Sequence, residues 1–152
     1  MTSIEIKNQL HARCTDFVNL RISFAKQAMD GAQESANQEE KSSAGDKYET
    51  GRAMAQLERD KASIQVNEAL KMLSVLDQIK PSTINHRVGL GSLVITDLNK
   101  FYLSISAGKL VVDHEIYLAI SAQSPIGQLL IGKQTGDQFS FNNQRQTIVS
   151  VL

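Results

Sequence analysis

The change of composition at Lys80-Pro81 constrains this chain more than any other feature. Upstream of it there is no proline and there are only three glycines; downstream, short apolar runs alternate with Gly and Asn turns. Proline disfavours helical geometry at the residue before it, so a helical segment ends at Lys80 and a β-rich one follows. The expected domains are 1–80 and 81–152. The first carries 11 basic and 12 acidic residues and the second 5 and 4, so the helical half holds most of the charge.

Within the helical half, Thr2 and Glu5 have capping-box spacing, in which hydroxyl and carboxylate satisfy free N–H groups at a helix start. Leu10, Phe17 and Phe24 follow every seven residues, with Ile6 and Leu20 beside them, which predicts one apolar stripe on a long helix. From Gly31 to Asp46 the sequence turns small and polar and reads as a hairpin tip. A second helix is expected from about Asp46 to Ile79, with Met54, Leu57, Ile64, Leu70, Leu73 and Leu76 as its apolar residues. At a rise of about 1.5 Å per residue each helix is roughly 50 Å long. The pattern predicts a projecting antiparallel coiled-coil hairpin. Its narrow stripe, interrupted by Arg13, Lys61 and Glu68, suits a two-helix seam.

Beyond Pro81, six runs read as short strands: 92–96, 101–105, 109–112, 116–120, 138–141 and 147–151. Asn142-Asn143 is a tight-turn pair. Ser124-Pro125 before Ile126 and Gly132 after Ile131 supply an N-cap, a proline at the first helical position and a glycine stop. The fold class is therefore α+β: a long helical hairpin followed by an antiparallel β domain with one short helix.

The 16 Lys and Arg balance the 16 Asp and Glu, so no net charge draws the protein to nucleic acid or to anionic membrane. No apolar stretch approaches the roughly 18 residues of a membrane span, and the start lacks an apolar signal core. A cytoplasmic protein with no membrane partner is expected. A single cysteine, Cys14, excludes an intramolecular disulfide and a multi-cysteine zinc site, and it reads as a packing residue. His11 and Cys14 share a helical face without a third catalytic partner, and His86 and His114 have no second ligand at metal spacing. Phe101, Tyr102, Tyr117, Phe139 and Phe141 read as core. Stacking surfaces for nucleic acid come with a basic surround that is missing here, so stable binding of free nucleic acid is not expected.

Gly91-Ser92-Leu93-Val94, Ser124-Pro125-Ile126-Gly127, Leu130, Gly132-Lys133, Gly136-Asp137 and a closing β run through Ile148 together resemble the C-terminal domain of the bacterial Gre transcript-cleavage factors. The ordered set spans about 60 residues and follows a helical hairpin of suitable length. The resemblance implies an FK506-binding-protein-like fold for 81–152 that docks on RNA polymerase, with Ser124, Pro125, Ile126, Gly127 and Lys133 as the partner-binding set. It implies that the hairpin enters the polymerase secondary channel. There, tip acids help hold Mg²⁺ shared with polymerase, and a metal-activated water cleaves backtracked RNA, whose contact with the factor is indirect. No cofactor of the chain's own is implied.

The candidate tip acids are Glu39, Glu40, Asp46 and Glu49, of which Glu39, Glu40 and Asp46 are the candidate metal ligands. The family pattern at the tip is Gly-Asp-Leu followed by Glu-Asn-Ala-Glu-Tyr. Aligned on Tyr48, this chain has Asp46 near the last acid, but Lys41 and Ala44 at the two key acids. A regulator that occupies the channel without cleaving is the alternative. Asp46 with Glu49 also has capping-box spacing, and Glu39-Glu40 reads equally as a solvated loop. A peptidyl-prolyl isomerase, another activity of the implied fold, needs an aromatic-lined pocket for which few aromatics remain. A carbon-chain condensing enzyme needs a longer chain and a Cys/His site.

Overall fold

A computed structural model describes the backbone of residues 1–40 and 45–152, and the side chains outside 39–49. The order of elements is α1 (Ser3–Glu40), α2 (Gly45–Asp77), β1 (Leu93–Thr96), β2 (Lys100–Ser104), β3 (Gly108–Val112), β4 (Glu115–Ser121), α3 (Pro125–Leu130), β5 (Gln138–Phe141) and β6 (Gln144–Val151). The chain divides into two compact units. One joins Met1–Phe17 to Ser74–Leu152, and the other is Val18–Leu73.

In the second unit α1 and α2 pack together, but not through the large residues that the sequence suggested. Besides Val18 at its edge, the buried positions are Ala25, Ala32 and Ala36 on α1 and Ala55, Ala62 and Ala69 on α2. Met29, Arg59 and Val66 are half-buried between them, so the seam keeps the three-and-four spacing of a coiled coil. Phe24, Leu20, Met54, Leu57 and Ile64 are each more than half exposed, and Leu70 is exposed as well. The expected stripe of large residues is thus corrected. Small alanine side chains permit a close approach of two helices, and the larger apolar side chains stand outside this seam. The same pattern carries α1 onward: it remains helical to Glu40, through most of the stretch expected as the tip.

In the first unit the capping box forms as expected. The Thr2 amide donates to Glu5 Oε2 at 2.6 Å and the Glu5 amide to Thr2 Oγ1 at 3.2 Å. All six expected strands are present in one sheet of order β3-β4-β2-β1-β6-β5. Four neighbouring pairs are antiparallel, but β2 and β4 run parallel, with Phe101 beside Leu118 and Leu103 beside Ile120. The sheet is therefore mixed rather than antiparallel.

Alternation along the strands gives the sheet two buried faces. One carries Val94, Phe101, Leu103, Ile148 and Val151, and α3 covers it with Ile126 and Leu130. On the other, the alternate residues Tyr102 and Ser104 meet the first turns of α1 through His11 and Cys14. The five aromatics read as core lie there as expected: Phe101, Tyr102, Tyr117 and Phe139 are buried, and Phe141 packs against the cluster. Two turns are built on left-handed residues. Asn142 and Asn143 have φ of 52° and 63°, and Asp113 and His114 have 53° and 64°. Both are two-residue hairpin loops whose twist matches the strands, which Asn and Asp tolerate and histidine does so at a cost.

Two outcomes follow for stability. Ala62→Leu overfills the seam and should lower stability by about 1–3 kcal/mol, whereas Leu70→Ala, on an exposed position, should change it by less than about 0.5 kcal/mol. Urea melts followed by circular dichroism separate the two. A seam made of large residues would reverse the order.

Candidate functional site

Helix α1 ends at Glu40 and α2 begins at Gly45, so in sequence the four candidate acids bracket the connection between the helices. The side chains of Glu39, Glu40, Asp46 and Glu49 lie outside the described residues. Among the described residues no three His, Cys, Asp or Glu side chains are grouped so that they could hold a metal ion. His86 and His114 are exposed.

The segment that carries the resemblance is held by local chemistry. Ser124 is the N-cap of α3: its hydroxyl donates to the Ser121 carbonyl at 2.6 Å and accepts from the Gly127 amide at 3.1 Å. Pro125 occupies the first turn, where its missing N–H costs nothing. Ile126 is buried in the core cluster. Gly127 is buried where a Cβ would run into the Ser121 carbonyl, so only glycine allows α3 to pack this close to the end of β4. After Gly132 in the left-handed region (φ 82°), the Lys133 carbonyl accepts from the Val88 amide at 2.8 Å. Lys133 is half-buried, and its ammonium makes no hydrogen bond or ion pair among the described residues. Of the five residues proposed to meet a partner, four thus have structural duties, and Lys133 keeps an uncommitted charge.

A row of polar side chains on α1, which the sequence reading did not anticipate as a unit, ties that helix to the rest of the first unit. Lys7 is almost fully buried, and its Nζ donates to the main-chain oxygens of Thr83 at 2.6 Å and Leu152 at 3.1 Å. Burial pulls its pKa below the usual lysine value. His11 Nδ1 lies 3.1 Å from the Tyr102 hydroxyl, and Cys14 Sγ is 3.6 Å from Ser104 Oγ. Desolvation raises the Cys14 thiol and the Tyr102 hydroxyl above their usual values. A thiol held protonated in a buried site is a poor nucleophile, so Cys14 packs as expected. The spacing 7, 11, 14 marks one helical face, but nothing local announces a buried lysine, since its acceptors come from residues 83 and 152.

A groove of about 560 Å³ opens beside β2, β3 and β4, lined by Lys100, Lys109, His114 and Glu115, with Leu98 and Ile116 among its apolar residues. Lys100 Nζ donates to Glu115 Oε2 at 2.8 Å and sits 5.5 Å from the Tyr117 ring centre. That bond raises the Lys100 pKa and lowers that of Glu115. Both partners are solvent-accessible, so the pair adds little stability. No nucleophile with a base and an orienting third group lines the groove.

Two measurements check these assignments. Gly127→Ala should displace α3, costing about 3 kcal/mol and lowering Tm by roughly 6–12 °C. His11 has its pKa lowered from 6.5, chiefly by desolvation and partly offset by Asp77. The folded state therefore disfavours its protonation, so this stability is complete above the unfolded value and is lost as pH falls through the lower folded one. Melts compared at about pH 7.5 and about pH 5.5 should show a loss on acidification that is smaller in His11→Gln. An equal loss in both proteins would remove His11 from that role.

No protein-family model matches the chain, and no curated protein matches its sequence.

Proposed function

We propose that this chain is a bacterial-type factor of the Gre kind that binds RNA polymerase at its secondary channel. The carrying observation is a pair of packed helices of 38 and 33 residues whose connection falls among four acids in the sequence, ahead of a β domain that bears the Ser124–Lys133 segment. In this reading residues 81–152 adopt an FK506-binding-protein-like fold and dock on polymerase through the surface around α3, with the half-buried Lys133 as an uncommitted charge of that contact.

The hairpin delivers Glu39, Glu40, Asp46 and Glu49 to the polymerase active centre. Carboxylate oxygens suit hard Mg²⁺, and a second metal there stabilises both the attacking and the leaving oxygen during cleavage of backtracked RNA. The chemistry belongs to polymerase. This chain supplies position and charge.

Lys41 and Ala44, at the places where the family pattern has its two key acids, favour a second reading: the same architecture occupies the channel without promoting cleavage. A proline isomerase is less favoured, because the aromatics of the β domain are committed to its core.

Stalled, backtracked elongation complexes with magnesium separate the readings. The native protein should accelerate nascent-RNA cleavage, and a variant with Glu39, Glu40 and Asp46 changed to alanine should lose at least about 100-fold of that acceleration, as the loss of metal ligation implies. Lys133→Glu should weaken polymerase binding and leave the cleavage rate of saturated complexes unchanged. Binding without cleavage assigns the second reading. Failure to bind polymerase rejects both.

A further inference from the structure

The hairpin unit is sided in a way that its seam does not require. On α2, Met54, Leu57 and Ile64 are each more than half exposed and Met72 is half-buried. Together with Lys61 and Glu68 they recur at intervals of three and four, which places them on one helical face. On α1, Phe24, more than half exposed, adjoins that face. Phe24 and Glu68 line one shared groove with Ala25 and Ala69. The flank of α2 between this face and the seam is polar: Gln56 Nε2 donates to Asp60 Oδ1 at 3.0 Å, and Asn67 is exposed. A row of large apolar residues on one side of a solvated helix marks a contact surface.

We propose that this face docks a second copy of the chain, α2 against α2 in antiparallel orientation, with a two-fold axis between Ile64 and Gln65. The charges within the stripe carry the choice of occupant. Lys61 and Glu68 stand seven residues apart inside an otherwise apolar row, and neither makes a hydrogen bond or ion pair among the described residues. An antiparallel two-fold at that point sets Lys61 opposite Glu68 of the second copy, twice. It also sets Leu57 opposite Met72 and brings the two Ile64 side chains together.

A parallel in-register pair instead puts Lys61 on Lys61 and Glu68 on Glu68. The stripe thus contains its own complement, as an isologous contact requires. Its two polar positions select direction and register as polar core positions do in coiled coils.

Sedimentation of the full chain from dilute to concentrated solution tests this, with circular dichroism reporting that each exposed-site variant keeps its helices. The native protein should dimerise reversibly. Ile64→Glu, Lys61→Glu and Glu68→Lys should each weaken association by about tenfold or more, since every change acts twice across the axis. The double variant K61E/E68K should regain native affinity, and an equimolar mixture of the two single reversals should form a heterodimer. A chain that stays monomeric, single reversals without effect, or a double reversal that fails to restore association would each overturn the proposal. A monomer whose Ile64→Glu variant loses polymerase binding would assign the face to polymerase instead.

Discussion

Most of what the helical unit presents to its surroundings depends on the size of one side chain. With alanine buried at positions 25, 32, 36, 55, 62 and 69, the two helices meet chiefly through small side chains. No room remains in the seam for Phe24, Leu57 or Ile64, which project from it. Each alanine removes little apolar surface from water, at roughly 25 cal/mol per Å². The unit therefore relies on the length of the seam and on alanine's helix propensity, the highest of the residues. Its most exposed large side chains, Phe24, Leu57 and Ile64, contribute little to holding the two helices together.

The sequence was legible wherever the determining chemistry was local. The six strands, the Thr2 capping box, the Ser124-Pro125 helix start and the Asn142-Asn143 turn each depend on residues within a few positions of one another. Hydrophobic size misled in the hairpin unit, because large side chains such as Phe24, Leu57 and Ile64 were assigned to the seam that alanines occupy, although Leu10 and Leu76 in the other unit are buried as expected. The same bias placed the tip too early, although Ala32 and Ala36 continue the seam beyond Gly31. The parallel pairing of β2 with β4 arises from non-local strand order, for which alternation carries no signal.

The segment around α3 illustrates why a sequence pattern and a partner surface are hard to separate. Ser124, Pro125 and Gly127 would be demanded here by capping and by the close approach to β4 even with no partner present. Lys133 differs, because its charge has no duty in the fold that would fix its identity. The buried row on α1 was hidden for the opposite reason. Lys7 is tolerable inside only because Thr83 and Leu152, remote in sequence, supply its acceptors.

These features bear jointly on the proposed function. A seam closed on alanine makes a slender helical pair, which suits entry into a channel lined by another protein. The same closure turns apolar residues outward, where exposure to water is unfavourable by an amount proportional to their area. Under the proposed function, a second copy that covered this face would keep it from water but also withhold the hairpin from polymerase. Dimerisation and insertion would then compete by mass action, and apparent affinity for polymerase would fall with the monomer fraction. Lys61 and Glu68 would temper that competition. Charges placed within an apolar stripe would keep association weak and specific, so that under the proposed function a self-associated hairpin could still be released to polymerase.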